Sequence, residues 1–311
     1  MTAWVVNGKI NYNLPHRSEV IIMLTKEQFH ALVENGFLLL DGATGSNLQK
    51  AGMPKDCCTE EWVLRHPDAL VDLQRRYAAA GSNIIYAPTF QAQPIALEKV
   101  GLADKTQEIN AQLVALSRSA APDCLIAGDL TTLAVYCDSW DEGNFDLLVE
   151  NYRRQIAGLL EGGADLLAAE TLMYPTEAEA ILTAAELEGA GCVMYTFTMQ
   201  PDGALFSGRE VGPVLRELEE AGAAAVGFNC VAADMMTPGL VSKLRRYVKG
   251  PLVCKPNAGV PVIDADGIPV YPQTPEEFAK IVMACRCNGA SILGGCCGTA
   301  PEFISAVKAA L

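Results

Sequence analysis

The chain has 311 residues, half of them hydrophobic, and a formal net charge of −14. That is enough apolar material for one large buried core, and the acidity argues against nucleic acid or an anionic membrane as partner. The 11 cysteines are not spaced like a small secreted disulfide scaffold. Their odd count, the lack of a signal peptide and the lack of any apolar run of about 18 residues point to a reduced cytoplasmic protein with no membrane span.

Residues 1–22 show no helical periodicity and carry scattered polar residues with Pro15. They read as an N-terminal extension, either flexible or a strand or lid across one end of the fold. The folded domain is expected over 23–311, opening with Met23-Leu24-Thr25 and with Thr25 as the N-cap of a helix.

A strand-then-helix repeat follows. Phe37–Leu40 ends at Asp41-Gly42, Asn83–Tyr86 ends at Pro88-Thr89, and Leu125–Gly128 ends at Asp129. Asp165–Ala169 ends at Glu170-Thr171, and Cys192–Phe197 ends near Thr198. Ala224–Phe228 ends at Asn229-Cys230, Leu252–Lys255 ends at Pro256-Asn257, and Ser291–Leu293 ends at Gly294-Gly295-Cys296-Cys297. Helical patterning separates them, for example over Ala69–Ala80, Phe145–Glu161, Thr176–Glu188 and Thr274–Cys287. Continuous apolar runs, rather than alternation, suit strands buried on both faces.

Eight such units predict an α/β fold, a single (β/α)8 TIM barrel with a short N-terminal extension. An open doubly wound sheet fits less well, because no GxGxxG turn follows the first strand. Leu205–Arg209 and Val260–Val270 read as loop elaborations.

In a closed barrel the carboxyl ends of the strands meet around one pocket. Asp41, Thr89, Asp129, Glu170, Asn229, Cys230, Asn257, Cys296 and Cys297 all fall there, which points to an enzyme. Cys230 closes the sixth strand, and Cys296 and Cys297 sit on the glycine-rich turn after the eighth. Three thiolates suit zinc and leave its fourth position open, as catalytic zinc requires. A substrate thiol bound there would lose its proton and remain a nucleophile at neutral pH. The plainer alternative is a core cysteine and an incidental pair. The three histidines, His16, His30 and His66, lie outside the constellation.

Gly295-Cys296-Cys297-Gly298-Thr299 with Pro301, and Gly227-Phe228-Asn229-Cys230, resemble the homocysteine S-methyltransferase family. The resemblance runs from about Leu38 to Ala309. Leu40-Asp41-Gly42-Ala43-Thr44-Gly45 matches the opening turn, Glu170-Thr171 the Glu-Thr after the fourth strand, and Pro256-Asn257-Ala258-Gly259 looks most like the cobalamin-dependent methionine synthase branch. The resemblance implies a zinc-bearing barrel that methylates homocysteine to methionine, with one Zn2+ held by Cys230, Cys296 and Cys297. It implies that Asp41 and Glu170 hold the amino-acid end of homocysteine, with Glu170 facing the ammonium. A turn-ordering role for Asp41 and a capping role for Glu170 are the structural alternatives. Thr89 and Asn229 join them as substrate-binding candidates.

Departures from the family pattern fall at Pro88, at Ala43 and Thr44, and at Gly128-Asp129-Leu130-Thr131-Thr132. Because the sequence stops directly after its last helix, the branch resemblance implies a methyl-corrinoid such as methylcobalamin carried by a separate protein. The alternative donor is a small cation of the S-methylmethionine or betaine type, read by an aromatic box that Tyr86, Phe90, Tyr136, Trp140 and Tyr174 could supply. Packing of the loops is the simpler use of those rings. A different class also fits: a thiol-rich zinc-binding or redox barrel, given Cys57-Cys58 and the helical Cys285 and Cys287. A homo-oligomer is compatible with all of these readings.

Overall fold

The computed structural model describes residues 3–6, 9–12, 23–34, 36–200, 203–233, 238–263 and 269–311. Strands β1 (Ala3–Val6) and β2 (Lys9–Tyr12) pair as a separate antiparallel hairpin. The remaining expectations for 1–22 lie outside the described residues.

Eight strands make the barrel. They are β3 (Leu38–Leu39), β4 (Ile84–Tyr86), β5 (Leu125–Thr131), β6 (Leu166–Leu172), β7 (Val193–Phe197), β8 (Ala225–Ala232) and β9 (Leu252–Asn257), then, after a small antiparallel hairpin of β10 (Val262–Ile263) and β11 (Pro269–Val270), β12 (Ile292–Leu293). All eight are parallel and run in the order β3-β12-β9-β8-β7-β6-β5-β4. A parallel bridge from Leu40 to Ile84 joins the two ends of that order, so the sheet closes on itself. With helices between successive strands, this is the expected (β/α)8 barrel.

Two apolar layers hold it. The outer faces of the strands pack on the surrounding helices, where fully buried Tyr77, Tyr152, Tyr195, Phe197, Phe228 and Phe278 are the bulkiest members. The barrel interior is filled by Leu38, Leu40, Ile84, Ala127, Ala168, Met194, Val253 and Ile292. Helix Lys26–Glu34 plugs the amino end of that interior with Phe29, Leu32 and Val33. Its start is fixed as expected: the Gln28 amide donates to Thr25 Oγ1 (3.3 Å), and the Thr25 amide donates to Gln28 Oε1 (2.9 Å). His30 Nε2 then lies 2.8 Å from the Ala224 carbonyl at the start of β8. The opposite, carboxyl end of the barrel is thereby left as the open mouth.

Several strands run further than the apolar pattern suggests. β5 continues through Asp129 to Thr131, β6 through Glu170 to Leu172, and β8 through Cys230 to Ala232. These polar extensions keep their backbone ladders and carry their side chains into the mouth. Among the described residues no helix is long and apolar enough to cross a membrane.

Candidate metal centre and substrate pocket

Three sulfurs meet at the mouth. One ligand atom from each of Cys230, Cys296 and Cys297 falls within 4.8 Å of the others, and Cys230 Sγ lies 3.8 Å from Cys297 Sγ. Sulfurs sharing a tetrahedral zinc at about 2.3 Å stand about 3.8 Å apart, so the cluster has the size that such an ion needs. Among the described residues no fourth histidine, cysteine or carboxylate joins it.

Local backbone devices aim these thiols. In β8 the register against β9 slips between Asn229 and Ala232, and in β6 the register against β7 slips between Ala169 and Leu172. Each slip inserts one extra residue, a bulge of the kind that redirects a side chain. Cys230 and Thr171 sit in these bulges at φ of 54° and 59°, the two non-glycine residues in the left-handed region among those described. That conformation costs of order 1–3 kcal/mol, and here it turns Cys230 towards the other two sulfurs.

The Cys296-Cys297 turn is pinned from three sides. The Gly295 amide donates to the Asp41 carbonyl, the Cys296 amide to the Pro256 carbonyl (2.7 Å), and the Ala258 amide to the Cys297 carbonyl (3.0 Å). Gly298 follows at φ 82°, where a Cβ would collide with the Tyr271 ring. Hydrogen bonding by Cys230 and then Cys296 draws the Cys297 thiol down to about 3. The contacts with Cys296 and Cys297 push Cys230 up in turn. Three thiols sharing protons in this way are poised to lose them to a soft cation.

Asn229, fully buried, ties the metal cluster to the acids. Its Oδ1 accepts from the Thr171 amide (2.7 Å) and from Thr196 Oγ1 (2.9 Å). Its Nδ2 donates to Thr171 Oγ1 (2.7 Å) and Glu170 Oε2 (3.3 Å), and lies 3.8 Å from Cys296 Sγ. Glu170 Oε2 also receives Lys255 Nζ at 2.9 Å. Both residues are almost fully buried. Lys255 Nζ stands 4.8 Å from the centre of the Tyr86 ring. Burial opposes the charge on Lys255 most strongly, but Glu170, Cys296, Tyr86 and Asp41 together outweigh it and hold the ammonium well above its ordinary range.

Asp41 Oδ2 accepts the Tyr86 amide (2.9 Å), and its Oδ1 has no partner. Burial pushes this carboxyl up to about 7, against the pull of Lys255. Thr89 turns away from the mouth: its hydroxyl donates to the Asp129 carbonyl and accepts the Asp129 amide, both at 2.9 Å.

A cavity of ≈ 340 Å³ opens between these groups, lined by Asp129, Glu170, Lys255 and the three cysteines among others. The structure thus brings together Cys230, Cys296, Cys297 and Glu170 on the cavity wall, with Asn229 and Asp41 buried behind it and Thr89 spent on β5. Lys255 is the site residue that sequence reasoning passed over. The available signal was a lysine ending an otherwise apolar strand.

Of the five aromatic candidates, Tyr86 and Phe90 line the cavity. Tyr86 already carries Lys255 on its face, Tyr136 carries Lys99 at 4.2 Å, and Trp140 packs on Tyr174 at 5.5 Å. All 11 cysteines are unbridged. Cys57 donates to the Pro54 carbonyl, and Cys58 lies 3.4 Å from Glu60 Oε2.

A barrel that gathers thiols and acids at its carboxyl mouth is laid out as an enzyme. The chain belongs to the homocysteine S-methyltransferase family, whose sequence profile matches residues 38–311. It is 27% identical over 290 residues to the methionine synthase of Mycobacterium leprae, covering 87% of this chain and 24% of that protein. The chain therefore spans about a quarter of the length of that relative. Among solved structures it superposes on the metallated form of the homocysteine methyltransferase MmuM from Escherichia coli with a TM-score of 0.78 and 25% identity, over 91% of this chain and 99% of that one. A methyltransferase from Methanosarcina mazei shares the fold, with a TM-score of 0.60 at 14% identity over 92% of this chain and 98% of that one.

Proposed function

We propose that the protein transfers a methyl group to the thiol of homocysteine, forming methionine, at a zinc ion held by Cys230, Cys296 and Cys297. The observation that carries this reading is the trio of sulfurs within 4.8 Å, without a fourth protein ligand among the described residues and open to the cavity. The family match and the likeness to a metallated homocysteine methyltransferase support it. When bound, zinc would lower the pKa of the acceptor thiol so that it meets the donor as a thiolate.

The chain's own residues do the rest. The bulge at Cys230 and the pinned turn at Cys296-Cys297 preorganise the three thiols. Asn229 holds Glu170 and Cys296 in one fixed relation. Lys255 offsets part of the negative charge that carboxylates and thiolates accumulate here. Among the described residues no histidine lines the cavity to serve as a general base. The acceptor sulfur then attacks the methyl carbon in line, and the donor's leaving group departs with the electron pair.

For the donor we propose a methyl-corrinoid carried by a partner protein. The similarity to methionine synthase supports it. So do the rings of Tyr86, Tyr136, Trp140 and Tyr174, which are engaged with other partners rather than grouped as a cation cage. The test is methionine formation by zinc-loaded protein given homocysteine with methylcobalamin, S-methylmethionine or betaine in turn. Methionine is expected with methylcobalamin alone. Turnover of either small cation would overturn the corrinoid donor. Failure with all donors, together with no binding of homocysteine, would overturn the reaction itself.

A further inference from the structure

The mouth holds four buried carboxylates, Asp41, Glu60, Asp129 and Glu170, and one buried ammonium, Lys255; Glu60 is taken by the Gln91 amide and the Cys58 thiol. Their hydrogen bonds are shared unequally. Glu170 Oε2 takes both Lys255 Nζ (2.9 Å) and Asn229 Nδ2 (3.3 Å). Asp41 Oδ2 takes the Tyr86 amide, and Asp41 stands behind the cavity wall rather than on it.

Asp129 joins two conditions, lining the cavity like Glu170 and, like Asp41, keeping a buried Oδ1 without a hydrogen-bond partner. It lines the cavity beside Glu170, Lys255 and the cysteines. It is only 6% exposed, and its Oδ1 is buried with no hydrogen-bond partner. Its position is nonetheless fixed, because Thr89 Oγ1 clamps its amide and its carbonyl at 2.9 Å each. In register it sits across from Ala168 on β6, two residues before the Thr131 and Glu170 pair. A buried carboxylate oxygen without a donor is costly unless a cation meets it. One such cation is already present, and it is committed to Glu170.

We propose that Asp129 receives the α-ammonium of the acceptor amino acid beside Glu170, whose Oε2 is already taken by Lys255 and Asn229. The proposal rests on the homocysteine reading of this pocket and assigns the residue that selects an amino-acid thiol over a simple thiol. The acceptor's ammonium supplies the donor that Asp129 Oδ1 lacks. The Glu170–Lys255 pair stands beside it on the cavity wall.

Calorimetric titration of zinc-loaded protein with three thiols tests this. Homocysteine has both head groups, 3-sulfanylpropylamine lacks the carboxylate, and 4-sulfanylbutanoate lacks the ammonium. Asp129→Asn should weaken homocysteine and 3-sulfanylpropylamine by about 10- to 100-fold, the range of a hydrogen bond to a charged group. It should leave 4-sulfanylbutanoate within about twofold of wild type. Asp129→Ser, read in the same way, guards against a fold-specific effect of asparagine, with zinc content and Tm as the check on folding.

Equal losses for all three thiols would mean a structural role and would overturn the proposal. So would an ammonium-selective loss in Glu170→Gln that is absent from Asp129→Asn. Wild-type protein that binds none of the three thiols would overturn the homocysteine reading together with this one. That outcome is recognisably different, because it precedes any variant.

Discussion

Cys297→Ala is expected to bring zinc content from about one per chain to near zero after passage over a weak chelator, and to lower methionine formation by about 1,000-fold or more. The reason is geometric. Two sulfurs, Cys230 and Cys296, would remain, and no other histidine, cysteine or carboxylate among the described residues is placed to replace the third. Cys297 also carries the lowest thiol pKa of the trio, drawn down by Cys230 and Cys296, so its loss removes the sulfur that most readily ionises. The fold should survive, because Cys297 is only half-buried and its turn is pinned by backbone hydrogen bonds. Cys57→Ala is the control. Cys57 lies in a loop on a carbonyl contact, and its removal should leave zinc content unchanged. Metal analysis with circular dichroism checks both. Full zinc in Cys297→Ala would contradict the assignment.

Lys255→Met is expected to have the largest effect on stability. Breaking a buried ion pair costs about 3–5 kcal/mol, because the surviving partner stays buried and uncompensated. Here three carboxylates share that one cation, and the side chains of Lys255 and Glu170 are 4% and 9% exposed, so little solvent is at hand to screen the loss. The loss should depend on pH, and its sign follows from the carboxyls. Burial already lifts Asp41 to about 7 in the folded protein, above its unfolded value, and Lys255 is what restrains it. An acid raised on folding is best tolerated while protonated, and its contribution is lost as pH rises through the folded pKa. Without Lys255 that pKa rises further, as does that of Glu170, which Lys255 also pulls down. Lys255→Met should therefore be closest to wild type near about pH 5 and furthest from it near about pH 8. Urea denaturation across that range measures it. A variant destabilised equally at both ends, or not at all, would show that the pair does not carry the charge balance of the mouth.

The barrel was legible because strands buried on both faces leave continuous apolar runs, as Phe37–Leu40 and Leu252–Lys255 show. Where those runs turned polar, the pattern stopped short of the real strands. Asp129, Glu170 and Cys230 lie inside β5, β6 and β8, since a side chain facing an enclosed mouth can be polar while its backbone stays in the ladder. The bulges at Thr171 and Cys230 left no trace in composition, because each is a single inserted residue visible only against its neighbour's register.

The sulfur cluster was legible from its position on consecutive strand ends. The pairing of Lys255 with Glu170 was not, because it joins residues 85 apart in sequence and depends on both side chains pointing inwards. Thr89 shows the opposite failure. Its place at a strand end suggested the pocket, yet its hydroxyl is used up on the backbone of Asp129. The aromatic residues cluster in sequence after strand ends, but three-dimensional packing gives most of them other partners.

In the proposed reaction the acceptor sulfur completes a three-sulfur metal site. Zinc K-edge X-ray absorption on the loaded protein, with and without homocysteine, tests it most directly. Three sulfur ligands and one lighter ligand are expected in the free protein, and four sulfurs once homocysteine is bound. A shell of four sulfurs before homocysteine is added, or a shell that does not change on its addition, would contradict it.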